Sequence, residues 1–400
     1  MVKVAVLGYG TIGKGVVTVL QTNADSIEKK TGRRIEVKRI LDLRDFPGDP
    51  NADKVVHDYE IIRADEEIKV VVECMGGIEP AYSFVKSALL AGRSVATSNK
   101  ELVARHGAEL IALAKEKKCS FLFEASVGGG IPIIRPLLSC LTADRIEEIS
   151  GILNGTTNFM LTKMEREGAD FDDVLKEAQA RGYAELHPEA DIEGWDACRK
   201  IAILTSVAHE QQVDFEDIPT EGITAITAED IRYADLLGKT IKLIGWSQVR
   251  DGKVYAMVCP MMIEKNHPLA AVNDVYNAIF VHGNMVDNVM FYGKGAGSLP
   301  TASAVAADVV DCVRHEGETV EIGWNPEKLV LGDNGEFVRR FFVRVGKDTS
   351  EERIKELFGQ VEMVSIPELE EVAFVTGDMK ERKFDEAAKQ VSLIGRIRLH

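Results

Sequence analysis

The sequence predicts an α/β protein with more than one domain, and three observations lead to this prediction. The chain has 400 residues, more than one ordinary domain uses. Residues 1–125 alternate short apolar runs with amphipathic stretches, which is typical of βαβ units and a mostly parallel, doubly wound sheet. From Ile131 onward the pattern becomes mixed α+β, with hairpin signals and longer helices.

The N-terminal elements follow from apolar runs and helical periodicity. The predicted strands are Val2–Leu7, Ile35–Leu41, Val70–Val72, Ser94–Thr97 and Ser120–Glu124. The predicted helices are Gly13–Lys29, Pro80–Ala91 and Leu102–Lys118.

In the middle region, Asp251-Gly252 and Gly283-Asn284 are turn signals, and Thr227 with Asp230 resembles a capping box. The predicted helices are Ile131–Leu141, Asp170–Arg181, Asp191–Glu210 and Thr301–Val313. The predicted strands are Arg145–Leu153, Lys242–Val249, Val254–Ile263, Phe280–Val281 and Met285–Tyr292.

The last part of the chain has the order strand, helix, strand, strand, helix, strand, which predicts a ferredoxin-like domain. Its elements are Phe337–Val345, Glu351–Leu357, Val361–Ser365, Glu371–Thr376, Lys383–Gln390 and Gly395–Leu399. We therefore expect a first domain of residues 1–130 with a returning helix at about 301–318, a second of residues 131–300 and a third of residues 335–400.

Charge and cysteine usage exclude several function classes. A formal net charge of −16 disfavours nucleic acid and anionic membranes as general partners. The six cysteines are scattered, without a C-x-x-C or Cys/His cluster, so we expect reduced thiols and no structural zinc. No signal peptide or long apolar span is evident, and a soluble, cytoplasmic protein is expected.

A glycine-rich loop follows the first predicted strand and opens a helix. In Gly8-Tyr-Gly10-Thr-Ile-Gly13 the glycines permit a tight turn and close approach of backbone to a pyrophosphate, and the helix N-terminus attracts the anion. The loop predicts a Rossmann-type dinucleotide site. Asp42 closes the second strand and favours NAD by accepting from the ribose, whereas Arg39 or Arg44 favours NADP. A simple turn formed by Asp42 and Arg44 is the third alternative.

The segment from Glu185 to Asp196 contains five acidic residues and no Lys or Arg, and Arg199 and Lys200 follow it. Asp196 and Lys200 are four residues apart on a predicted helix and share a face. A carboxylate cluster suits a substrate ammonium group, and a desolvated lysine can exchange a proton at a reacting hydroxyl. With a dinucleotide fold, this pattern predicts oxidation of the hydroxyl of an amino-acid substrate.

The segment Ala178–Lys200 resembles the homoserine dehydrogenase signature, a glycine-aromatic pair, a proline and then D-I-x-G-x-D-x-x-x-K. It departs from the signature at His187, where Asp, Asn or Ser is usual. The resemblance covers roughly residues 1–315. Further blocks similar to the family are Ser98–Lys100, Glu124–Pro132, Gly151–Asn158, His267–Leu269 and Gly293–Ser303.

The resemblance implies reversible NAD- or NADP-dependent hydride transfer between homoserine and aspartate 4-semialdehyde, in threonine, methionine and isoleucine biosynthesis. It implies a homodimer or homotetramer. It implies Lys200 as principal acid/base, with Lys100 and Asp196 as its catalytic partners. The implied substrate residues are Glu185, Thr156, Tyr183 and Asp191, and the cofactor residues are Gly8, Gly10, Thr11, Ile12, Gly13, Asp42, Arg44, Ser98, Lys100 and Gly297.

Two further expectations come from the resemblance. A sodium-type cation is implied at the Glu124 side chain and the carbonyls of Val127, Gly129 and Ile131, ligands that suit a hard cation. The C-terminal order resembles the ACT regulatory domain of some members, with threonine as an effector. The loop Val345–Glu351 has one glycine and no proline, so a purely structural or oligomerisation module is the alternative.

Two other classes of protein share parts of this pattern. An amino-acid dehydrogenase that acts on an amine leaves the Ala178–Lys200 match unexplained. A non-catalytic amino-acid sensor would be suggested by loss of Lys200 or Asp196, and both residues are present.

Overall fold

The computed structural model describes all 400 residues. The strands are β1 Val2–Leu7, β2 Ile35–Leu41, β3 Val55–Val56, β4 Ile68–Glu73, β5 Ser94–Thr97, β6 Phe121–Leu122, β7 Ile146–Ile152, β8 Gln211–Gln212, β9 Lys239–Arg250, β10 Lys253–Glu264, β11 Tyr276–Gly283, β12 Asp287–Lys294, β13 Asn325–Lys328, β14 Val338–Arg339, β15 Phe341–Gly346, β16 Val361–Val364, β17 Glu371–Thr376, β18 Met379–Lys380 and β19 Leu393–Leu399.

The helices are α1 Thr11–Thr22, α2 Ala24–Thr31, α3 Tyr59–Arg63, α4 Ala81–Leu90, α5 Lys100–Glu116, α6 Ala125–Gly128, α7 Gly155–Glu167, α8 Phe171–Ala180, α9 Glu189–Ile192, α10 Trp195–His209, α11 Ala228–Leu236, α12 Ser298–Arg314, α13 Glu351–Phe358 and α14 Glu381–Ala388. No helix combines the length and the apolar character needed to cross a bilayer. The six cysteines form no disulfide.

The chain divides into two compact units. Unit 1 comprises Met1–Ile149, Arg199–Asp217 and Val281–Val330, and unit 2 comprises Ser150–Cys198, Ile218–Phe280 and Leu331–His400.

Unit 1 contains a six-stranded parallel sheet with the order β3-β2-β1-β4-β5-β6. This is the doubly wound order, in which the strand sequence reverses between β1 and β4. The inner strands are apolar runs buried on both faces, as expected of a parallel sheet covered by helices. The predicted Rossmann-type sheet is confirmed, and β1, β2 and β5 have the predicted bounds.

Unit 2 is built on a mixed sheet with the order β11-β7-β9-β10-β19-β15-β17-β16. The long hairpin of β9 and β10 turns through Asp251 and Gly252, both at positive φ, as the Asp-Gly signal predicts. Strands β15, β16, β17 and β19, with helices α13 and α14, form what we call the C-terminal module. Its apolar core includes Phe341, Phe374 and Phe384.

Several predicted elements are interrupted in the structure. The stretch Gly13–Lys29 forms two helices, because Asn23 leaves helical geometry and precedes α2. The stretch Asp191–Glu210 is broken at Gly194, whose φ of +87° is the left-handed conformation that glycine tolerates. Arg340 belongs to neither β14 nor β15 and separates the two strands, so Phe337–Val345 is not one strand. The second hairpin turns over residues 284–286, not 283–284 alone.

The predicted helix Ile131–Leu141 is also wrong at its start. The backbone N–H groups of Ile133, Ile134 and Arg135 donate to the Glu124 carboxylate at 2.6, 2.8 and 2.9 Å. A side-chain acceptor at this point ends the preceding loop and starts the helix. The helical residues that follow include a π-helical turn at Pro136–Cys140.

Candidate active site

The glycine loop between β1 and α1 has the shape that a pyrophosphate requires. Gly8 has a φ of +90°, and a Cβ on Gly13 would lie 1.9 Å from the Gly8 carbonyl oxygen. A Cβ on Gly10 would meet no atom within 4 Å, which leaves open space above the loop. No side chain caps the first turn of α1, so its N–H groups face that space. The geometry fits a dinucleotide phosphate.

The start of α12 lies beside this loop within unit 1. The Ser298 hydroxyl donates to the Thr11 carbonyl at 2.8 Å, and a Cβ on Gly15 would be 2.9 Å from the Ala302 side chain. Gly297 precedes the helix with a φ of +123°. The predicted cofactor residues Thr11 and Gly297 are therefore brought together, and Ile12 belongs to the same first turn of α1.

Asp42 lies at the carboxyl end of β2 and is saturated with hydrogen bonds. Its carboxylate accepts from the backbone of Tyr9 at 2.8 Å, from the backbone of Arg44 at 3.0 Å, and from the Arg44 guanidinium at 2.9 Å through both Nε and Nη2. The Arg44 guanidinium holds the pKa of this carboxyl well below its usual range. The Arg44 side chain remains 64% exposed, so its unused donors face solvent.

Ser98 and Lys100 follow β5, where a buried acid fixes the loop. The Glu73 carboxylate accepts from the Thr97 hydroxyl at 2.6 Å, and that hydroxyl accepts from the Asn99 backbone at 3.0 Å. Burial raises the pKa of Glu73. Asn99 then caps α5 by accepting from Leu102 N, which places Lys100 at the first residue of the helix.

Lys200 lies on α10, one turn after Asp196, and both residues are buried, with 8% and 4% of their surface exposed. The neighbouring residue Arg199 forms an ion pair with Glu101 at 3.2 Å. Because Glu101 follows Lys100, this ion pair links the start of α5 to the part of α10 that carries Lys200.

Asn154 joins two of the predicted acidic residues. Its Nδ2 donates to Asp191 Oδ1 and to Asp196 Oδ2, at 2.8 Å each. Its Oδ1 accepts from Thr157 N and so caps α7. One amide thus fixes two carboxylates and the helix that begins beside them. Sequence reasoning did not single out Asn154, although the residue lies in the family-like block Gly151–Asn158.

The remaining predicted substrate residues surround the segment before α9. The Thr156 hydroxyl donates to the Tyr183 carbonyl at 2.6 Å, and the Tyr183 ring packs edge-on against Phe159. Glu185 is exposed, and its carbonyl accepts from Gln179 at 3.1 Å. His187, the departure from the family signature, is exposed as well and contacts no predicted catalytic group.

Glu124, the predicted cation ligand, has three of its acceptor positions filled by the backbone N–H groups of residues 133–135. A carboxylate offers about four such positions, and the Arg135 guanidinium lies 3.8 Å from Oε2 beside the fourth. Gly129 packs tightly within unit 1, since a Cβ there would be 2.2 Å from the Gly295 carbonyl oxygen. The residues present fit a cation only as an addition to an already bonded carboxylate.

Two family models match the chain. The model for the homoserine dehydrogenase NAD-binding domain covers residues 8–124, and the homoserine dehydrogenase model covers residues 132–310. These matches, together with the glycine loop, define a dinucleotide-dependent oxidoreductase.

Relatives and solved structures agree with the models. A homoserine dehydrogenase of Bacillus subtilis is 43% identical over 78% of this chain and 73% of its own length. One from Synechocystis is 46% identical over the same shares. The structure of a homoserine dehydrogenase from Thiobacillus denitrificans has a TM-score of 0.90 at 36% identity, covering 100% of this chain and 98% of the other. A hyperthermophilic archaeal homoserine dehydrogenase in complex with NADPH has a TM-score of 0.63 at 28% identity, covering 78% and 97%.

The chain belongs to the homoserine dehydrogenase family. The resemblance based on the Ala178–Lys200 signature is confirmed, and so is the expectation of an NAD- or NADP-dependent oxidoreductase of amino-acid biosynthesis.

Proposed function

We propose that the chain catalyses reversible hydride transfer between L-homoserine and L-aspartate 4-semialdehyde, with Lys200 as the principal acid/base. The observation that supports this assignment is a buried lysine one turn from a buried Asp196 whose carboxylate is bonded to Asn154. Family membership supports the reaction itself.

The cofactor is NAD or NADP, and it accepts or supplies the hydride when bound. Gly8, Gly10 and Gly13, with the N–H groups of Thr11 and Ile12, would hold the pyrophosphate. Ser98 and Gly297 would contact the nicotinamide half.

Lys200 would take the proton of the homoserine hydroxyl during oxidation and return it during reduction. As an ammonium it stabilises the alkoxide that develops when the aldehyde is reduced. Its burial supports this role, because a lysine held out of bulk water can be kept in a fixed position at the reacting oxygen. Lys100 would polarise the same oxygen, and the Arg199–Glu101 ion pair supports its placement beside α10.

The amino-acid head of the substrate would be held by the residues that the family resemblance implies for it. Glu185 and Asp191 carry the charge that a substrate ammonium requires, and Thr156 and Tyr183 supply hydrogen-bonding groups. Holding the charged head in place would present the hydroxyl carbon for transfer, so that positioning contributes much of the rate.

For the nucleotide we propose a preference for NADP. The Asp42 carboxylate is filled by Tyr9 N and Arg44, so it has no acceptor position left for a ribose hydroxyl. Arg44 neutralises Asp42 and presents donors to a 2′-phosphate.

The test of the proposed function is reduction of NAD⁺ and NADP⁺ by the purified protein with L-homoserine, followed at 340 nm. We expect turnover with both and a lower KM for NADP⁺. Arg44→Ala should raise the NADP⁺ KM about tenfold without raising the NAD⁺ KM, because Asp42 regains acceptor positions for a ribose hydroxyl, and the surface substitution Arg34→Ala is the control. No homoserine-dependent signal with either nucleotide would refute the activity.

A sodium-type cation at Glu124 and at the carbonyls of Val127, Gly129 and Ile131 belongs to the same proposal. The oxygen-only ligand set supports a hard cation. Its role would be to hold the crossover segment, and no chemical step depends on it.

We also propose the domain arrangement with residues 1–130 and about 301–318 binding the cofactor, 131–300 binding the substrate, and 335–400 forming an ACT-like domain. The order β19-β15-β17-β16, antiparallel throughout, supports a ferredoxin-like fold there.

Threonine is the proposed effector, and calorimetric titration at millimolar threonine tests it. The exposed apolar side chains of Met290 and Tyr292 on β12 support a homodimer or homotetramer. A cytoplasmic location belongs to the same proposal, and membership of this enzyme family supports it.

A further inference from the structure

Two arginines of the C-terminal module hold one carboxylate of the central part of unit 2. Arg398 donates to both oxygens of Glu221 at 2.8 Å, and Arg396 donates to Oε1 at 2.8 Å. Arg398 is 2% exposed and also bonds to the buried Glu381. Although burial acts to raise it, the two guanidiniums lower the pKa of Glu221 to about 2. Glu221 is therefore a fixed anion at neutral pH.

The backbone beside Glu221 is fixed equally closely. Glu221 N donates to the Val258 carbonyl of β10 at 2.8 Å. Strand β10 in turn pairs in parallel with β19, the strand that carries both arginines. The side chain and the main chain of Glu221 thus depend on the same two adjacent strands.

The next residues contact the break between α9 and α10. Ile223 N donates to the Ile192 carbonyl at 2.8 Å. A Cβ on Gly222 would lie 2.0 Å from that oxygen and 2.4 Å from the Glu193 Cα, so the two backbones touch. Gly194 packs against the same segment, since its Cβ would meet Thr220 at 3.1 Å. Any shift of residues 220–223 would displace the break.

Asp191 precedes this break and Asp196 follows it, and both are bonded to Asn154. We propose that Glu221 is a positioning residue that fixes the break between α9 and α10 through Gly222 and Ile223. Strand β19 of the C-terminal module thereby helps to hold the carboxylates of Asp191 and Asp196 in place. This rests on the proposed substrate role of Asp191 and on the proposed catalytic role of Asp196 beside Lys200.

A second ion pair between the C-terminal module and the rest of unit 2 provides a matched control. Arg344 of β15 donates to Asp230 Oδ1 at 2.9 Å, and both side chains are buried. Asp230 lies on α11, and its carboxylate accepts from Thr227 N and from Arg344 rather than from the break between α9 and α10. Glu221→Gln and Asp230→Asn each replace one acid by its amide beside an arginine.

The experiment compares steady-state kinetics of the wild type, Glu221→Gln, Glu221→Ala and Asp230→Asn. Glu221→Ala should raise the homoserine KM about tenfold, with kcat and the cofactor KM within about twofold, because a charge-assisted bond contributes about that much. Glu221→Gln retains an acceptor, so its homoserine KM should lie between those of the wild type and Glu221→Ala. Asp230→Asn should lower thermal stability without changing the homoserine KM. An unchanged KM in Glu221→Ala, or an equal rise in Asp230→Asn, would overturn the proposal.

Hydrogen exchange supplies a measurement that needs no substrate. The backbone amides of residues 189–198 should exchange faster in Glu221→Ala than in the wild type. In Asp230→Asn their exchange rate should equal that of the wild type. Equal exchange in all three proteins contradicts the positioning role. If the wild type fails to oxidise homoserine, the proposed function fails while the exchange result still decides whether Glu221 fixes the break.

Discussion

The glycine loop after β1 and the acidic segment around α9 and α10 are constructed in opposite ways. The loop presents backbone N–H groups, and its geometry is set by residues within six positions of one another. The acidic segment presents carboxylates whose placement depends on Asn154, which is 37 and 42 residues away from its two partners. A site formed by backbone can be inferred from a local motif, whereas a site formed by side chains depends on tertiary contacts.

The largest effect should come from Lys200→Ala. Loss of the acid/base should reduce kcat about 10³-fold, while binding of NADP⁺, measured by fluorescence, persists. Lys115→Ala, on the exposed face of α5, is the control and should keep full activity. A kcat of Lys200→Ala near that of the wild type would mean that Lys200 is not the residue that transfers the proton.

Two glycine substitutions distinguish packing from ligand contact in the loop. Gly13→Ala places a methyl 1.9 Å from the Gly8 carbonyl, so it should unfold the loop and destabilise unit 1 by about 2–3 kcal/mol. Gly10→Ala meets no protein atom and should melt like the wild type, yet raise the KM for NADP⁺ more than tenfold by occupying phosphate space. Thermal melting and cofactor titration check both; equal cofactor affinity in Gly10→Ala and wild type would contradict the loop assignment.

On the substrate side, Asn154→Ser retains an acceptor for the α7 cap but replaces the two amide N–H donors to Asp191 and Asp196 by one shorter hydroxyl. We expect the homoserine KM to rise about tenfold while the KM for NADP⁺ stays constant. Asn334→Ser is the control, because Asn334 is equally buried and donates to the Ala256 carbonyl in the same unit. An equal rise of the homoserine KM in both variants would mean that the substitutions act by destabilising unit 2 and not through Asp191 and Asp196.

The smallest effect concerns a lysine buried in unit 2. Lys242 donates to the Val272 carbonyl at 2.8 Å, and burial lowers its pKa to about 8. The native state therefore releases this proton near pH 8 and the unfolded state near pH 10.5, so this group makes stability rise with pH between those values. In Lys242→Met this pH-dependent contribution should disappear. Urea unfolding at pH 7.5 and 9.5 measures it; an identical pH slope in both proteins would contradict the shift.

The same contrast explains what could be predicted from sequence. Strands β1, β2 and β5 were predicted to the residue. The residues of β1 and β5 are buried almost throughout, whereas β2 alternates buried Ile35 and Val37 with partly exposed Glu36 and Lys38. The start of the helix after Ile131 was not predicted, because it is set by Glu124, which lies nine residues before Ile133 and reads as an ordinary acid. The sequence also could not show that the Arg44 guanidinium donates to the Asp42 carboxylate. The same two residues could instead have left that carboxylate available to a ribose hydroxyl.

The left-handed Gly194 has a geometric consequence for the two carboxylates. On one continuous α-helix, residues 191 and 196 would project about 140° apart around the axis, because five residues turn through about 500°. A single side-chain amide could not reach both. Interrupting the helix for two residues, Glu193 and Gly194, changes that angle, so two acids on neighbouring helices share one donor group. The spacing of acid, glycine and acid in residues 191–196 therefore sets the direction of the two side chains as well as their distance along the chain.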